Sequence, residues 1–587
     1  MAVNRHRVPV APWAAVAAGV IALLGSLSLV PARAAPSPSE AYTTTEQYIR
    51  SFDGTLLHAY VFRPAGVPAA HRTPVIVEFT PYDNTGGNVA GTPSPTNDAA
   101  AAPDTDDPNG LVLAGMFARG YTYVEVADRG TGGSGGCFDV WGPDSQQDTK
   151  TVIEWAASQR WSDGKVVIWG ESAGAESALD AIAMHPKGLV AAVLVQAPDP
   201  SDEVWTNGIR NTAAGTIWGP TWLIDQLEPP SLFSSGEYWY NSQVDHTRPG
   251  CPAIQAVAVY SQPTSPYWLA RDWVLDADRG SSLPIVYLGG FMDFNAKEEA
   301  SIALFNSFTG PHRAFFGPWI HIGPQVDNGE PTIGSVALAW FDHFARGKPL
   351  APSPPVLVQG VDGKWRAEQA WPPPDATPSS LELHAGSYAL TAGNNEETQL
   401  PSALSGEVTG NVPGSGPILA DVPLPTGKGA WTFTQPLPYD VRFAGFPTLS
   451  ADVQETVPAD DLVALIYDIN PDGAATFVDR GAELLTQSGH VSFQMMPEDW
   501  RFEAGDRIGI LLTGDDDLWY EPRDQAPVTV VGGSLSIPAL RCLRETFLTA
   551  PTLNFIPRPV PAPFVVPSAT LAADAIHMPL PPAMKAC

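Results

Sequence analysis

Lys165-Val166-Val167-Ile168-Trp169-Gly170-Glu171-Ser172-Ala173-Gly174-Ala175 decides the fold. An apolar run leads into Gly-x-Ser-x-Gly, and an Ala-rich stretch then continues to about His185. The pattern reads as a buried strand, a sharp turn and a helix, with Ser172 at the tip of the turn. So tight a turn puts its central residue in a strained backbone conformation. The flanking glycines are needed because they carry no Cβ to strike the neighbouring strand and helix. Ser172 Oγ would then stand at the C-terminal edge of a sheet. It would also sit at a helix N-terminus, whose free N–H groups favour developing negative charge.

Upstream, Tyr42–Pro64 alternates around Asp53-Gly54, as a hairpin does. Pro74–Phe79 and Tyr121–Val126 read as strands, Asn84–Asn109 as a long loop, and Leu111–Arg119 and Asp148–Ser158 as helices. Downstream, Leu189–Gln196, Leu283–Leu288 and His312–Phe316 read as strands; Ala296–Ser307 and Pro331–Arg346 read as helices. Strands alternating with helices at this spacing imply a parallel sheet covered on both faces. The glycines of Asp128–Gly136 could cradle phosphate, but no Gly-Lys-Ser/Thr follows, so a structural loop near the site is expected.

A serine nucleophile on such a sheet needs an acid and a base from the ends of later strands, in the order Ser, Asp/Glu, His. Asp293 ends the Leu283–Leu288 strand after Gly289-Gly290. His321 follows the His312–Phe316 strand in a loop. His312 begins that strand, at the wrong edge, and His343 lies within the closing helix. The candidate triad is therefore Ser172, Asp293 and His321. One oxyanion donor would be the backbone N–H of Ala173; a second should come from the loop after an early strand, here Thr80-Pro81-Tyr82, where Tyr82 could offer its hydroxyl.

The ends of the chain have different compositions. Arg5-His6-Arg7, the apolar run Ala11–Val30 and Ala32-Arg33-Ala34 form an export signal with a cleavage site, so residues 1–34 are excluded from the fold and a secreted protein is expected. An uncleaved anchor is the alternative. Between 197 and 282 the alternation breaks into polar, Pro-rich sequence with short helical pieces such as Thr221–Leu227, carrying Trp205, Trp218, Trp222, Trp239 and Trp268; this reads as a helical cap inserted in the sheet. The α/β domain would then comprise residues 35–196 and 283–350. From 351 to 587 short β runs separated by Gly, Pro and Asp turns imply an all-β jelly-roll sandwich.

The 32 basic and 63 acidic residues give a net charge of −31. Such a surface repels polyanions, which excludes nucleic acid as a partner. Four cysteines in an exported chain allow three pairings; Cys137–Cys251 and Cys542–Cys587 are expected from their places in the chain.

Taken together, these stretches resemble the CocE/NonD hydrolases, the family of cocaine esterase, α-amino-acid ester hydrolases and X-prolyl dipeptidyl-peptidases. The resemblance rests on Thr80-Pro81-Tyr82, Arg129–Ser134 with Trp141-Gly142-Pro143-Asp144, Trp161–Val166, Gly290-Phe291-Met292-Asp293, Gly317–His321 and Trp340-Phe341-Asp342. It extends to Leu465–Ile469 with Pro471-Asp472-Gly473 and Arg480-Gly481 in the last domain. It implies an α/β-hydrolase domain with a helical cap and a C-terminal jelly roll, the triad Ser172, Asp293 and His321, and an oxyanion hole of Tyr82 and Ala173. Three positions depart from the family pattern. Ala173 stands where Tyr is usual, Ala127 where an aspartate is usual, and Phe291-Met292 where Trp-Tyr is common. Gly170–Ala175 taken alone also resembles type-B carboxylesterases, which use Glu as the acid and lack this sandwich.

The expected activity is hydrolysis of carboxylic esters, and of amides as an extension, through an acyl-enzyme, with no metal or organic cofactor. Its substrate would be a small ester or a short peptide. An X-prolyl dipeptidyl-peptidase is the alternative within the family, and would need a carboxylate in the cap for a free α-amine, with Asp225, Glu228 and Glu237 as candidates. A non-catalytic surface- or carbohydrate-binding protein is the alternative of another class.

Overall fold

The computed structural model describes residues 42–81, 111, 114–131, 133–197, 200–211, 251, 261–293, 296–319, 333–360, 365–388, 427–455, 460–516, 520, 527–544, 565–573, 575–576 and 583–586. Tyr82, His321, the 84–109 loop, the Thr221–Leu227 piece, the three candidate cap carboxylates and Cys587 lie outside them.

A ten-stranded sheet forms the first half, in the order β1-β2-β4-β3-β5-β6-β9-β10-β11-β12. Its leading edge is the expected hairpin, β1 (Tyr42–Arg50) and β2 (Leu56–Pro64), antiparallel and paired from Tyr42↔Pro64 to Arg50↔Leu56. Its turn has Gly54 at φ 95° and Asp53 Oδ1 accepting the Thr55 N–H at 2.9 Å. The parallel body comprises β3 (Thr73–Thr80), β4 (Thr122–Ala127), β5 (Ser162–Glu171), β6 (Leu189–Val195), β9 (Ile285–Gly290), β10 (His312–Gly317) and β11 (Val356–Gln359). β12 (Trp365–Glu368) returns antiparallel. The sheet thus takes in one hairpin beyond residue 350, where the shift in composition had suggested the sandwich begins. Val356-Leu357-Val358 is apolar enough for either sheet, and its pairing with Ala314–Phe316 assigns it to this one.

Alternating side chains build a core on each face. Val166 and Ile168 point to one, with the helices α1 (Pro143–Ser158) and α2 (Ala173–Ala183). Val167 and Trp169 point to the other, with the helix over Ile333–Arg346. Leu111–Arg119, expected as a helix, forms turns in its described part; Gly115 at φ 82° interrupts any helical run.

Between 197 and 282 the described residues form α3 (Pro200–Val204), the two-residue strands β7 (Trp205–Thr206) and β8 (Ile209–Arg210), and α4 (Pro266–Asp278). Cys137 and Cys251 are joined, the first expected disulfide, and Cys542 is also disulfide-bonded. After β9 and β10 come the helices α5 (Glu298–Ser307) and α6 (Ile333–Arg346).

The second half is all β. One sheet holds β20 (Gly489–Gln494), β17 (Thr448–Gln454), β23 (Val528–Ala539), β16 (Val441–Gly445) and β21 (Glu498–Phe502), with β13 (Thr377–Leu383) and β14 (Gly386–Tyr388) also on β23. The other runs β19 (Ala475–Leu485), β18 (Asp460–Ile469), β22 (Arg507–Thr513), β15 (Ala430–Thr434) and β25 (Ala575–Ile576). Leu449, Phe443 and Leu535 from the first pack with Leu462, Ile466 and Ile510 from the second, making a sandwich. The molecule is an α/β-hydrolase domain followed by a C-terminal all-β domain. No helix among the described residues is long and apolar enough to cross a membrane.

Candidate active site

Ser172 occupies the expected elbow between β5 and α2. Its backbone lies at φ 52°, ψ −124°, a conformation that costs an ordinary residue about 1–3 kcal/mol and persists where the surroundings enforce it. They do so here: the Ser172 N–H donates to Val195 O at 2.9 Å, and Ser172 O accepts the Ala175 N–H at 2.8 Å. A Cβ at Gly170 would collide with the Gly174 carbonyl, and one at Gly174 would lie 2.8 Å from Phe79 O. Both glycines of the pentapeptide are therefore steric requirements.

Asp293 sits just past β9, 1% exposed. Its N–H donates to Gly290 O at 2.9 Å, and its Oδ1 accepts the Ala296 N–H at 2.9 Å, which fixes the carboxyl. The same turn is joined to the chain leading to His321. Phe291 N–H donates to Gly317 O at 2.8 Å and Met292 N–H to Trp319 O at 2.9 Å. A Cβ at Gly290 would lie 2.5 Å from Trp319 O, so the close approach of the two loops needs that glycine. The structure thus brings the Asp293 turn against the segment two residues before His321. On the other side, Thr80 O, two residues before Tyr82, accepts the Asp128 N–H at 2.9 Å.

Ala173 is buried in an aromatic cluster with Phe138, Val140, Trp141, Val204, Trp205 and Trp268. Two of the six tryptophans of the 197–282 stretch, Trp205 and Trp268, therefore pack beside Ala173. Val140 and Trp141 both have positive φ, 54° and 52°, a real outlier for a β-branched valine. Two residues that the sequence did not single out hold this strap. Asp139 accepts the N–H groups of Gly142 at 3.2 Å and Asp144 at 2.9 Å. Arg271, from α4, donates Nε to Val140 O at 2.9 Å and Nη2 to Asp139 O.

The described part of the glycine stretch 128–136 is tied by backbone hydrogen bonds. Gly130 N–H donates to Gly135 O at 3.0 Å, Ser134 N–H to Thr131 O at 2.8 Å, and Gly135 N–H to Leu56 O at 2.9 Å. Arg129 is buried against Asp148, with Nε to Oδ2 at 2.8 Å.

A third overlooked residue is Lys297, four positions after Asp293 and 1% exposed. Its ammonium donates to the carbonyl oxygens of Asp202 at 3.0 Å and Glu203 at 2.9 Å. Burial pulls it down to about 8, while the charges of Glu203, Glu299, Asp202 and Asp293 hold it up. Burial pushes Glu299 up to about 8. Nothing in the local sequence flags Lys297, because its partners lie more than 90 residues upstream.

Comparison with known proteins fits this geometry. Residues 53–323 match the family model described as X-Pro dipeptidyl-peptidase (S15 family), and 350–536 match that of the X-Pro dipeptidyl-peptidase C-terminal non-catalytic domain. The chain carries an S15-family peptidase domain followed by the C-terminal domain that accompanies it. A CocE/NonD hydrolase of Staphylococcus aureus shares the fold, with a TM-score of 0.61 at 14% identity over 85% of this chain and 94% of that one. A Streptomyces avermitilis protein named "Putative Xaa-Pro dipeptidyl-peptidase" is 24% identical over 82% of this chain and 74% of its own length. A Mycobacterium bovis protein named "Putative serine esterase" is 22% identical over 80% of this chain and 90% of its own. The protein is a serine hydrolase.

Proposed function

We propose that the protein is an exported esterase that cleaves carboxylic esters through an acyl-enzyme on Ser172. The observation that carries this is the strained backbone of Ser172, at φ 52° where a strand meets a helix N-terminus. The buried Asp293 turn, hydrogen-bonded to the chain two residues before His321, supports the rest of the triad.

His321 takes the Ser172 Oγ proton as Oγ bonds to the ester carbonyl carbon. The carbonyl π pair moves onto oxygen, and the Ala173 N–H and the Tyr82 hydroxyl hold that oxyanion. One such donor is typically worth ~10²–10³ in rate. The pair returns, the bond to the leaving alkoxide breaks, and His321 passes it the proton. Water then gives a proton to His321 and its oxygen to the acyl carbon. Collapse of that second tetrahedral adduct releases the acid and restores Ser172 Oγ–H. Asp293 orients the imidazole and stabilises its cation. Export is supported by the N-terminal signal and by disulfide bonds at Cys137–Cys251 and Cys542. The two-sheet packing supports a jelly-roll reading of the last domain.

A second reading, X-prolyl dipeptidyl-peptidase, is favoured by the descriptions of the two matched family models. Turnover of acyl p-nitrophenyl esters against a dipeptidyl-proline anilide separates the two: faster anilide cleavage sinks the esterase reading. Fluorophosphonate labelling tests the chemistry itself. The native protein should be labelled and Ser172→Ala should not; equal labelling of both ends the proposal, as no labelling of either does.

A further inference from the structure

Gln196 stands where three parts of the site meet, and it is placed against its own preferences. It follows the last residue of β6, is 1% exposed and has φ 48°. Glutamine is not among the residues that enter this left-handed region readily, as glycine, asparagine and aspartate do. Burying a side-chain amide also carries a desolvation cost that a methionine of about the same length would not incur. Backbone strain and a buried amide in one residue, next to a nucleophile, call for a local reason.

The peptide plane between Val195 and Gln196 links two strands of the site. Its carbonyl accepts the Ser172 N–H at 2.9 Å, and its N–H donates to Leu288 O of β9 at 2.8 Å. The elbow is held on one side of this plane, and the strand that leads to Asp293 on the other. The next carbonyl, Ala197 O, accepts the hydroxyl of Ser301 on α5, the helix that follows Asp293. The Gln196 side chain reaches the same turn: a Cβ at Gly290 would lie 3.1 Å from Gln196 Nε2 and 2.5 Å from Trp319 O. Gly290 O in turn accepts the Asp293 N–H at 2.9 Å. The elbow, the Asp293 turn and the chain leading to His321 therefore converge on this residue.

We propose that Gln196 is a positioning residue for the hydrolytic triad: its backbone and its side-chain amide together fix the Asp293 turn relative to Ser172. The inference rests on the reading of Ser172, Asp293 and His321 as the triad and deepens it, by naming a residue that sets their spacing without touching substrate. The backbone part is carried by a planar peptide that cannot flex between its two hydrogen bonds. The side-chain part is carried by the amide beside Gly290. If that turn shifts, the Asp293 carboxyl moves away from the imidazole it orients. A displacement of about 1 Å at such a distance from the chemistry can cost about 10²-fold in rate. The imidazolium also loses part of the support that a neighbouring carboxylate gives it.

The test uses the full chain and two variants, with an acyl p-nitrophenyl ester as substrate. Gln196→Met keeps the length of the side chain and removes the amide. Gln196→Gly removes the side chain and relieves the positive φ, so it keeps the proposal open to refutation if Gln196→Met does not fold. In both, kcat should fall about tenfold while KM stays within about twofold of native. The acidic limb of kcat/KM should also move to lower pH by about half a unit, because the imidazolium is less well supported by Asp293. A residue that only fills the core would lower Tm and leave both the kcat of the folded protein and the acidic limb in place. A kcat within about twofold of native, with an unmoved limb, in either folded variant overturns the proposal. A native enzyme that fluorophosphonate does not label, or whose profile has no acidic limb, overturns the triad reading itself and this inference with it.

Discussion

At the scale of single residues, the elbow was legible because its physics is local. Gly170, Ser172 and Gly174 fall within five consecutive residues, and each answers to a steric demand visible in the pentapeptide. The glycine demand is also the easiest to test. A Cβ at Gly170 meets backbone, the Gly174 carbonyl and Ala175 Cα, and backbone cannot swing aside. Gly170→Ala should cost about 3 kcal/mol or more and abolish fluorophosphonate labelling, read from denaturant curves and labelling of the same sample. The base gives a second residue-scale prediction. On the proposed triad, with Asp293 fixed by the Ala296 N–H, kcat/KM should fall below about pH 6–6.5 as the His321 imidazole protonates. A profile flat down to about pH 4 would remove His321 from that role. Lys297, by contrast, was not legible. Its meaning depends on Asp202 and Glu203, which only the folded chain brings to it.

At the scale of elements, the strands were read well and the strap between β4 and α1 only in outline. Its glycines marked a loop, but the buried charges that hold it are long-range. Arg129 reaches Asp53 at 2.9 Å as well as Asp148, and no spacing rule announces a partner 76 residues away. Asp128 at the start of the strap is more exacting still. It is buried, its Oδ1 accepts the Ser177 hydroxyl at 3.3 Å, and its Oδ2 has no hydrogen-bond partner among the described residues. Burial pushes this carboxyl up to about 8, with Asp148 and Asp139 adding to the effect. The folded chain then keeps a proton that the unfolded chain releases near pH 4. The stability this contributes is complete below about pH 4, declines as pH rises, and is lost above about 8. Asp128→Asn removes the titrating group and retains the shape. It should raise Tm at pH 8.5, by about 2–4 °C for each kcal/mol recovered, and flatten the decline between pH 5 and 8.5. A variant whose Tm tracks native at both pH values would show that Asp128 is ionised in the folded protein.

At the scale of the whole molecule, the two halves were separable in composition but are joined in structure, and the joint lies beneath the Asp293 turn. Trp371, in the connection after β12, is fully buried in the core of the first domain, with its ring 5.0 Å from that of Phe291, two residues before Asp293. Met292 packs instead against the cluster on the outer face of the sandwich's second sheet, which contains Val463, Leu465 and Tyr467. Asn207, in the turn between β7 and β8, donates Nδ2 to Ala482 O at 2.9 Å and accepts the Leu484 N–H at 3.1 Å. Arg366 on β12 is buried between Glu368 and Asp499 of β21, with Nη1 3.1 Å from Asp499 Oδ1; Arg442 approaches the same carboxylate. Burial alone would push Asp499 up, and the two guanidiniums hold it below the usual carboxylate range. Composition could not reveal this, since a buried ion pair between domains looks like two ordinary charged residues in sequence. A chain ended at residue 350 would lose β11, β12 and Trp371, leaving β10 as an open edge and uncovering Phe291 and Phe316. It should be insoluble. In the full chain, Asp499→Ala strands Arg366 in a buried site with only Glu368, and should cost about 3–5 kcal/mol. Because the joint supports Phe291 and the turn after it, the same variant should lose kcat before it unfolds, with activity falling at lower denaturant than the tryptophan fluorescence transition. A soluble, labelled 1–350 fragment, or coincident loss of activity and structure in Asp499→Ala, would mean that the sandwich covers the hydrolase domain without holding its acid in place.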